Sequence, residues 1–244
     1  MSGHAGSQNF AFSSSVIKDG LVSYLDATSS LLSSSYGVAG NNANWYSIIG
    51  ANGDLVNSPI YSISGSGSLN FDGNTRYVNL GTPVSLELYN NFSISTWFNS
   101  TSSVASGQAA FIVSKDYSTG ARGFGIGLTK NFGASGQSYL EVNGGPVICN
   151  TGTVYSNDNK WHNMTLTVNS GTWTLYVDGV SIGYASPSAP TANSSANWYI
   201  GGRAYVGFFN GFPGLISQVL IYNRALSSGE VVTLYSGSKA RFGL

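Results

Sequence analysis

Charge is the scarcest resource in this 244-residue chain: Asp, Glu, Lys and Arg together make up 8 % of it, far below the quarter usual in globular proteins. Ten basic residues balance ten acidic ones, so the formal net charge is zero. A neutral chain exerts no general pull on nucleic acid or on an anionic membrane surface, and both are excluded as partners on that ground. Cysteine is nearly absent as well. Cys149 stands alone, so no intrachain disulfide can form. No run approaches the roughly 20 apolar residues that a membrane-spanning helix needs. The first eight residues offer neither a basic stretch nor an apolar one, and a secretory signal is not expected there.

What is abundant is aromatic and small polar. Fifteen Tyr, twelve Phe and five Trp supply a core and argue against disorder, while Ser, Thr, Asn and Gly keep the surface wet. Apolar residues recur with period two in short runs bounded by Gly, Asn, Ser and Pro, the pattern of half-buried strands. Strands are predicted at Leu21–Leu25, Phe92–Phe98, Phe111–Val113, Phe124–Leu128, Tyr139–Val142, Asn163–Val168, Trp173–Val177, Val180–Tyr184, Trp198–Ile200 and Ile216–Tyr222. Asp178-Gly179 between two alternating runs predicts a type I′ hairpin, and Asn169-Ser-Gly171 the turn before it. Only one helix is expected. Ser227-Ser-Gly-Glu230 has the form of a capping box, with Val231, Leu234 and Tyr235 on one face for about two turns. Residues 1–19 read as a Ser/Gly/Ala-rich arm with isolated Phe10, Phe12, Val16 and Ile17, and residues 20–244 as one domain.

Several stretches resemble the laminin-G-like branch of the concanavalin-A-like superfamily. They are Trp161-His-Asn-Met-Thr-Leu-Thr-Val with Gly171-Thr-Trp-Thr-Leu-Tyr-Val-Asp-Gly, then Phe212-Pro-Gly-Leu-Ile-Ser-Gln-Val-Leu-Ile-Tyr-Asn-Arg-Ala-Leu-Ser-Ser-Gly-Glu, supported by Phe92-Ser-Ile-Ser-Thr-Trp-Phe and Phe71-Asp-Gly. The resemblance implies an all-β fold, an antiparallel two-sheet jelly-roll sandwich with one short C-terminal helix. Asp19-Gly-Leu-Val-Ser-Tyr-Leu-Asp-Ala and Lys239-Ala-Arg-Phe-Gly-Leu are further similar to terminal segments of structural proteins in tailed bacteriophages, of the cyanophage type.

That second likeness implies a non-enzymatic virion protein, made in the host cytoplasm, that decorates or cements the capsid exterior. Other capsid or tail proteins and copies of itself would be its partners, with weak adhesion to host glycans. A receptor-binding module of a tail fibre and a bacterial surface or secreted carbohydrate-binding domain are the alternatives. Assembly contacts are expected from Phe10, Phe12, Val16 and Ile17 in the arm and from Arg241 and Phe242 in the tail. Glycan contacts are expected from Trp198, Arg203, Tyr205, Phe208, Phe209 and Asn210, in and beside a loop from Gly201 to Gly211, with Tyr117 and Arg122 as outlying contributors; the rival reading of Trp198 is a core residue.

Catalysis is not expected. A glycosidase needs two carboxylates facing each other across the sugar, and of the three Glu (Glu87, Glu141 and Glu230) none has another acid two residues away. His4, His162 and Cys149 form no evident nucleophile–base set. The resemblance also raises calcium, which many laminin-G-like domains hold with acids after the Phe-Asp-Gly turn and at the start of the final strand. Thr75-Arg76 and Ser217-Gln218 stand at those places, so no cofactor is expected, and a site from Asp72, Asn74 and backbone carbonyls is the weaker alternative.

Overall fold

The computed structural model describes residues 16–28, 44–88, 90–100, 108–116, 123–129, 137–149, 157–190, 196–205 and 208–244; the side chains of 149, 204–205 and 208–209 lie outside the description. Two antiparallel sheets stack face to face. The nine-stranded sheet runs in the spatial order β15 (Val180–Ala185), β14 (Thr172–Val177), β13 (Trp161–Asn169), β8 (Asn91–Asn99), β19 (Pro213–Tyr222), β1 (Leu21–Asp26), β3 (Ser47–Ile49). The first half of β19 also takes up β6 (Ser68–Asp72), which carries β5 (Ile60–Ser62) outside it. The eight-stranded sheet runs β12 (Gly145–Cys149), β11 (Gln137–Val142), β10 (Phe124–Thr129), β9 (Ala109–Asp116), β16 (Asn197–Ile200), β7 (Tyr77–Gly81), β4 (Gly53–Val56), β2 (Asn44–Trp45). A two-stranded ribbon, β17 (Ala204–Tyr205) and β18 (Phe208–Phe209), rises after β16. This is the two-sheet jelly-roll sandwich that the resemblance implies.

The predicted strands are all present, each of them longer by one to three residues at one end or both. Asp178 and Gly179 both take positive φ, at 51° and 79°, as a type I′ turn requires. One helix, α1 (Ser228–Ser238), follows the last strand, and Ser227 and Glu230 close the capping box in both directions. It runs 11 residues, a turn beyond the expected length. Among the described residues no helix is long and apolar enough to cross a membrane.

Between the sheets lies one continuous core. Phe92, Phe124, Trp173 and Trp198 meet edge to face at its centre, with ring centroids 5.4–5.5 Å apart where Phe124 and Phe92 contact the two Trp. A second cluster, on the outside of the nine-stranded sheet, buries Val231 and Leu234 of α1 against Tyr24, Tyr176, Leu220 and Tyr222. Val16 belongs to this cluster and is 6 % exposed, with Ile17 packed beside it.

The C-terminal segment is docked onto its own sandwich. The Arg241 guanidinium donates to both oxygens of Asp26, at 2.8 and 3.0 Å, and to the Gly65 carbonyl. The Phe242 ring stacks on Trp97 at 4.1 Å and leans on Trp161 at 4.9 Å. Val16, Ile17, Arg241 and Phe242, expected to contact neighbouring subunits, are packed or ion-paired within the chain's own fold. Phe10 and Phe12 lie outside the described residues.

Candidate functional site

Each strand of the eight-stranded sheet turns its apolar residues inward, so its alternate residues define an outer face. Val78 and Leu80 of β7, Trp198 and Ile200 of β16, Phe124 and Ile126 of β10 and Leu140 and Val142 of β11 belong to the core. Period two then sends Tyr77, Asn79, Asn197, Tyr199, Gly125, Tyr139 and Glu141 outward. On β9 an irregularity between Phe111 and Val113 shifts the register, so Phe111, Ser114 and Asp116 share this face. Cross-strand pairing lines up Asp54, Asn79, Tyr199, Ser114, Gly125 and Glu141 in one row. Five strand spacings make that row about 24 Å long.

The row is open at one end and closed at the other. At the open end Asp54 and Asn57 are exposed and Tyr77, Asn79 and Asn197 half-buried. A cavity of about 380 Å³ lies here, lined by Asp54, Leu55, Val56 and Asn57. Tyr77 and Tyr199 meet edge to face with centroids 5.7 Å apart. The Asn197 amide donates to the Tyr199 hydroxyl at 3.2 Å. Burial, with Tyr77 and Asp116 close by, pushes the Tyr199 pKa up. Asn79, Asn197, Asp54 and the half-buried Tyr77 make a surface that exchanges hydrogen bonds with hydroxyl groups, with Tyr77 adding an aromatic edge, while Tyr199 is 4 % exposed beneath it.

The closed end gathers charge. Arg203 is 3 % exposed and donates from Nε to Asp116 and from Nη1 to Glu141. Its guanidinium sits 4.8 Å over the Phe111 ring. The Tyr139 hydroxyl donates to the other oxygen of Glu141 at 2.9 Å. Burial opposes the charge on Arg203, but the two carboxylates outweigh it and raise the pKa. Gly125 makes room for this arrangement, since a Cβ there would stand 2.4 Å from the Phe111 ring.

Of the residues expected to touch a glycan, Trp198 does not lie on this face. Its indole is 1 % exposed, belongs to the core and donates to the Leu86 carbonyl at 3.0 Å. That corrects its assignment as a ligand contact and bears out the rival reading as a core residue. Arg203 is likewise not an exposed loop contact but the buried counterion of two acids. Asn210 pins the ribbon's base to β9, donating to the Ala109 carbonyl at 3.1 Å and accepting from the Phe111 amide at 3.4 Å. Tyr205 and Phe208 pair across the ribbon and Phe209 opposes Ala204, their side chains being outside the description. Tyr117 and Arg122 also lie outside the described residues.

Sequence reasoning missed Asp54, Tyr77, Asn79, Ser114 and Tyr199, and it saw Glu141 as an acid without a partner. Arg203 gives Glu141 that partner, Asp116, two strands away across β10. Both acids bind one guanidinium. The signal for the others was the alternation itself, for Tyr77-Val-Asn79-Leu and Asn197-Trp-Tyr199-Ile place every second residue outside.

The donors considered for calcium are engaged elsewhere. Asp72 Oδ1 accepts the amide hydrogens of Asn74, Thr75 and Arg76 at 2.8–2.9 Å, and Oδ2 the Thr75 hydroxyl. Slight burial raises its pKa, but those donors more than offset it and hold the carboxylate well below its usual range. Ser217 and Gln218 are bound into the Asp26–Arg241 cluster, where the guanidinium brings a positive charge. These residues do not fit a dication.

Comparison with known proteins places this geometry in a family. Residues 72–232 match the family model described as the concanavalin A-like lectin/glucanases superfamily, and the chain belongs to that family. Similar solved structures include domain 4 of AbnA, a GH43 extracellular arabinanase from Geobacillus stearothermophilus, in complex with arabinotriose. It shares 16 % identity at a TM-score of 0.63, over 88 % of this chain and 98 % of that domain. Trypanosoma rangeli sialidase in complex with sialic acid is similar at 18 % identity and a TM-score of 0.66, over 91 % of this chain but 33 % of that one. The binding domain of Paraclostridial Mosquitocidal Protein 1 is similar at 18 % and 0.63, over 88 % of this chain and 52 % of that one. The chain thus spans a third to a half of the latter two, and at these identities the likeness shows the fold. No curated protein matches the chain.

Proposed function

We propose that the chain is a non-catalytic glycan-binding module whose ligand lies along the outer face of the eight-stranded sheet. The observation that carries this reading is the row from Asp54 through Asn79 and Tyr199 to Glu141, open where Tyr77 and the cavity along β4 adjoin it. Polar groups held at fixed spacing beside a cavity are what orient a small ligand. The similarity to an arabinanase domain solved with arabinotriose supports a sugar as the ligand.

Binding without turnover follows from the charges. General acid catalysis needs a carboxylic acid free to protonate the leaving oxygen, and the two acids at the closed end are instead buried and bound to the Arg203 guanidinium. For the setting, we infer an exterior decoration or cement protein of a tailed-phage virion, supported by the likeness of the terminal segments to phage structural proteins. With Arg241 and Phe242 committed internally, residues 1–15 would carry the anchoring.

A glycan array on the whole chain tests the first reading. It predicts saturable binding that Tyr77→Ala and Asn79→Ala weaken by about tenfold or more, equivalent to about 1.4 kcal/mol, with no new reducing ends on long incubation. A blank array, or release of sugar, overturns it. Deletion of residues 1–15 tests the setting: incorporation into particles should be lost.

A further inference from the structure

The open end of the row is reached from solvent, and its chemistry is simpler than that of the closed end. Four strands build it, β2, β4, β7 and β16, and Asp54 is the only charged residue on them. Its side chain is exposed, and among the described residues its carboxylate makes no hydrogen bond or ion pair. A carboxylate accepts and does not donate, so this one, on the wall of a cavity of about 380 Å³, is free to take donors from a ligand.

The polar groups around it have fixed roles. Asn79 stands opposite Asp54 in the register and on the same face, which brings the two Cβ atoms to about 5 Å. The Gly81 amide donates to Asn79 Oδ1 at 2.9 Å, which turns the side chain so that Nδ2 is left as the available donor. Asn57, on the cavity wall, is set the other way round. Its Nδ2 donates to the Thr75 carbonyl at 2.9 Å, and Oδ1 remains an acceptor. Leu55 and Val56 line the wall between Asp54 and Asn57, and Tyr77 pairs with Val56 beside them.

We propose that Asp54 is the specificity-determining residue of the glycan face and that, with Asn79, it reads two adjacent hydroxyls of an uncharged sugar. The proposal rests on reading this face as glycan-binding and names both the class of sugar and the group that selects it. The two carboxylate oxygens accept the two hydroxyl hydrogens. Asn79 Nδ2 donates to the oxygen of one of those hydroxyls, since a hydroxyl donates and accepts at once. Hydrogen bonds to an ionised acceptor are the stronger kind, so Asp54 carries the larger share. The apolar side of the sugar ring packs on Val56 and Tyr77.

The same two groups work against charged sugars. A uronate brings a second carboxylate to strands whose one charge is already negative. Water screens that repulsion at an exposed site, so the penalty is several-fold and not absolute. An amino sugar gains little, because an exposed ion pair is weak, and its ammonium offers no acceptor to Asn79 Nδ2. A pair of hydroxyls satisfies the carboxylate and the amide together.

The test is calorimetric titration of the full chain with arabinotriose, maltotriose and cellotriose, set against trigalacturonate and the trimer of glucosamine. At least one neutral trisaccharide should bind more tightly than either charged sugar. Asp54→Asn keeps the shape of an exposed side chain and removes its charge, so the fold is retained. It should weaken the tightest neutral sugar by about tenfold or more and narrow the gap to trigalacturonate, a change in selectivity that a merely structural role does not produce. A charged sugar that binds more tightly than every neutral one overturns the proposal, and so does an affinity unchanged in Asp54→Asn. If it is overturned while Tyr77→Ala still weakens binding, the glycan-binding reading stands and only the role of Asp54 falls. If no sugar binds the wild-type chain, both fall.

Discussion

Trp198 and Tyr199 are neighbours in the chain and face opposite ways. The indole fills the core under Phe124 and the phenol lies on the sheet's outer face against Tyr77. Trp198→Ala should therefore cost stability, about 3–5 kcal/mol by urea unfolding, whereas Tyr77→Ala should spare stability and cost affinity. His162 poses a different question, that of pH. Its Nδ1 lies 2.7 Å from Asp178 and its Nε2 3.0 Å from Asp158. Only the doubly protonated ring can donate to both. Burial disfavours that form, but the hydrogen bonds and charges of Asp178 and Asp158 prevail and raise the pKa above the usual imidazole value. The raised value means that the folded state binds the proton more tightly than the unfolded one. The stabilisation is thus fully present below pH about 6.5 and lost as pH rises through the folded-state pKa. Melting temperatures across that window should fall with pH in the wild type and stay flatter in His162→Gln. An equal slope in both would contradict this.

Among the elements, the two terminal segments depend on each other. Asp26 ends β1 and is 3 % exposed, while Arg241 arrives from the last turn of the chain to neutralise it. Thr28, Tyr24 and Gln218 also donate to that carboxylate. Arg241→Ala would leave a buried charge without its counterion, at a cost on the order of 3 kcal/mol. Urea unfolding of the isolated chain reads this. A variant as stable as the wild type would return the tail to a role in assembly. The helix is capped in the same local way: Ser227→Ala should cost about 1 kcal/mol. Such local features were legible in the sequence, because a capping box, an Asp-Gly turn or a strand's alternation is written within a few residues. The Asp26–Arg241 pair was not, since its members stand 215 positions apart. The same holds for Arg203 with Asp116 and Glu141, which only the sheet order β11-β10-β9-β16 brings together.

For the molecule as a whole, the sandwich has two outer faces with different uses. The nine-stranded sheet covers its own with α1 and the residues around Val16 and Tyr222. The eight-stranded sheet spends its outer face on a polar and aromatic row that runs from open to closed. The sequence disclosed the strands because core positions repeat one simple pattern, and the sandwich because particular strand and turn motifs resemble the laminin-G-like family. It misplaced the site, because alternation tells which residues share a face but not which strands lie side by side. Reading aromatic residues in a loop as the contact set followed exposure expected from turns, and Trp198 was on the wrong side of its strand by one residue. The most direct measurement is a crystal structure of the chain with a bound neutral oligosaccharide. The account predicts sugar density over Tyr77 and Asn79, beside the cavity along β4. Density seated at the sheet edges, or over α1 and the nine-stranded sheet, would contradict it.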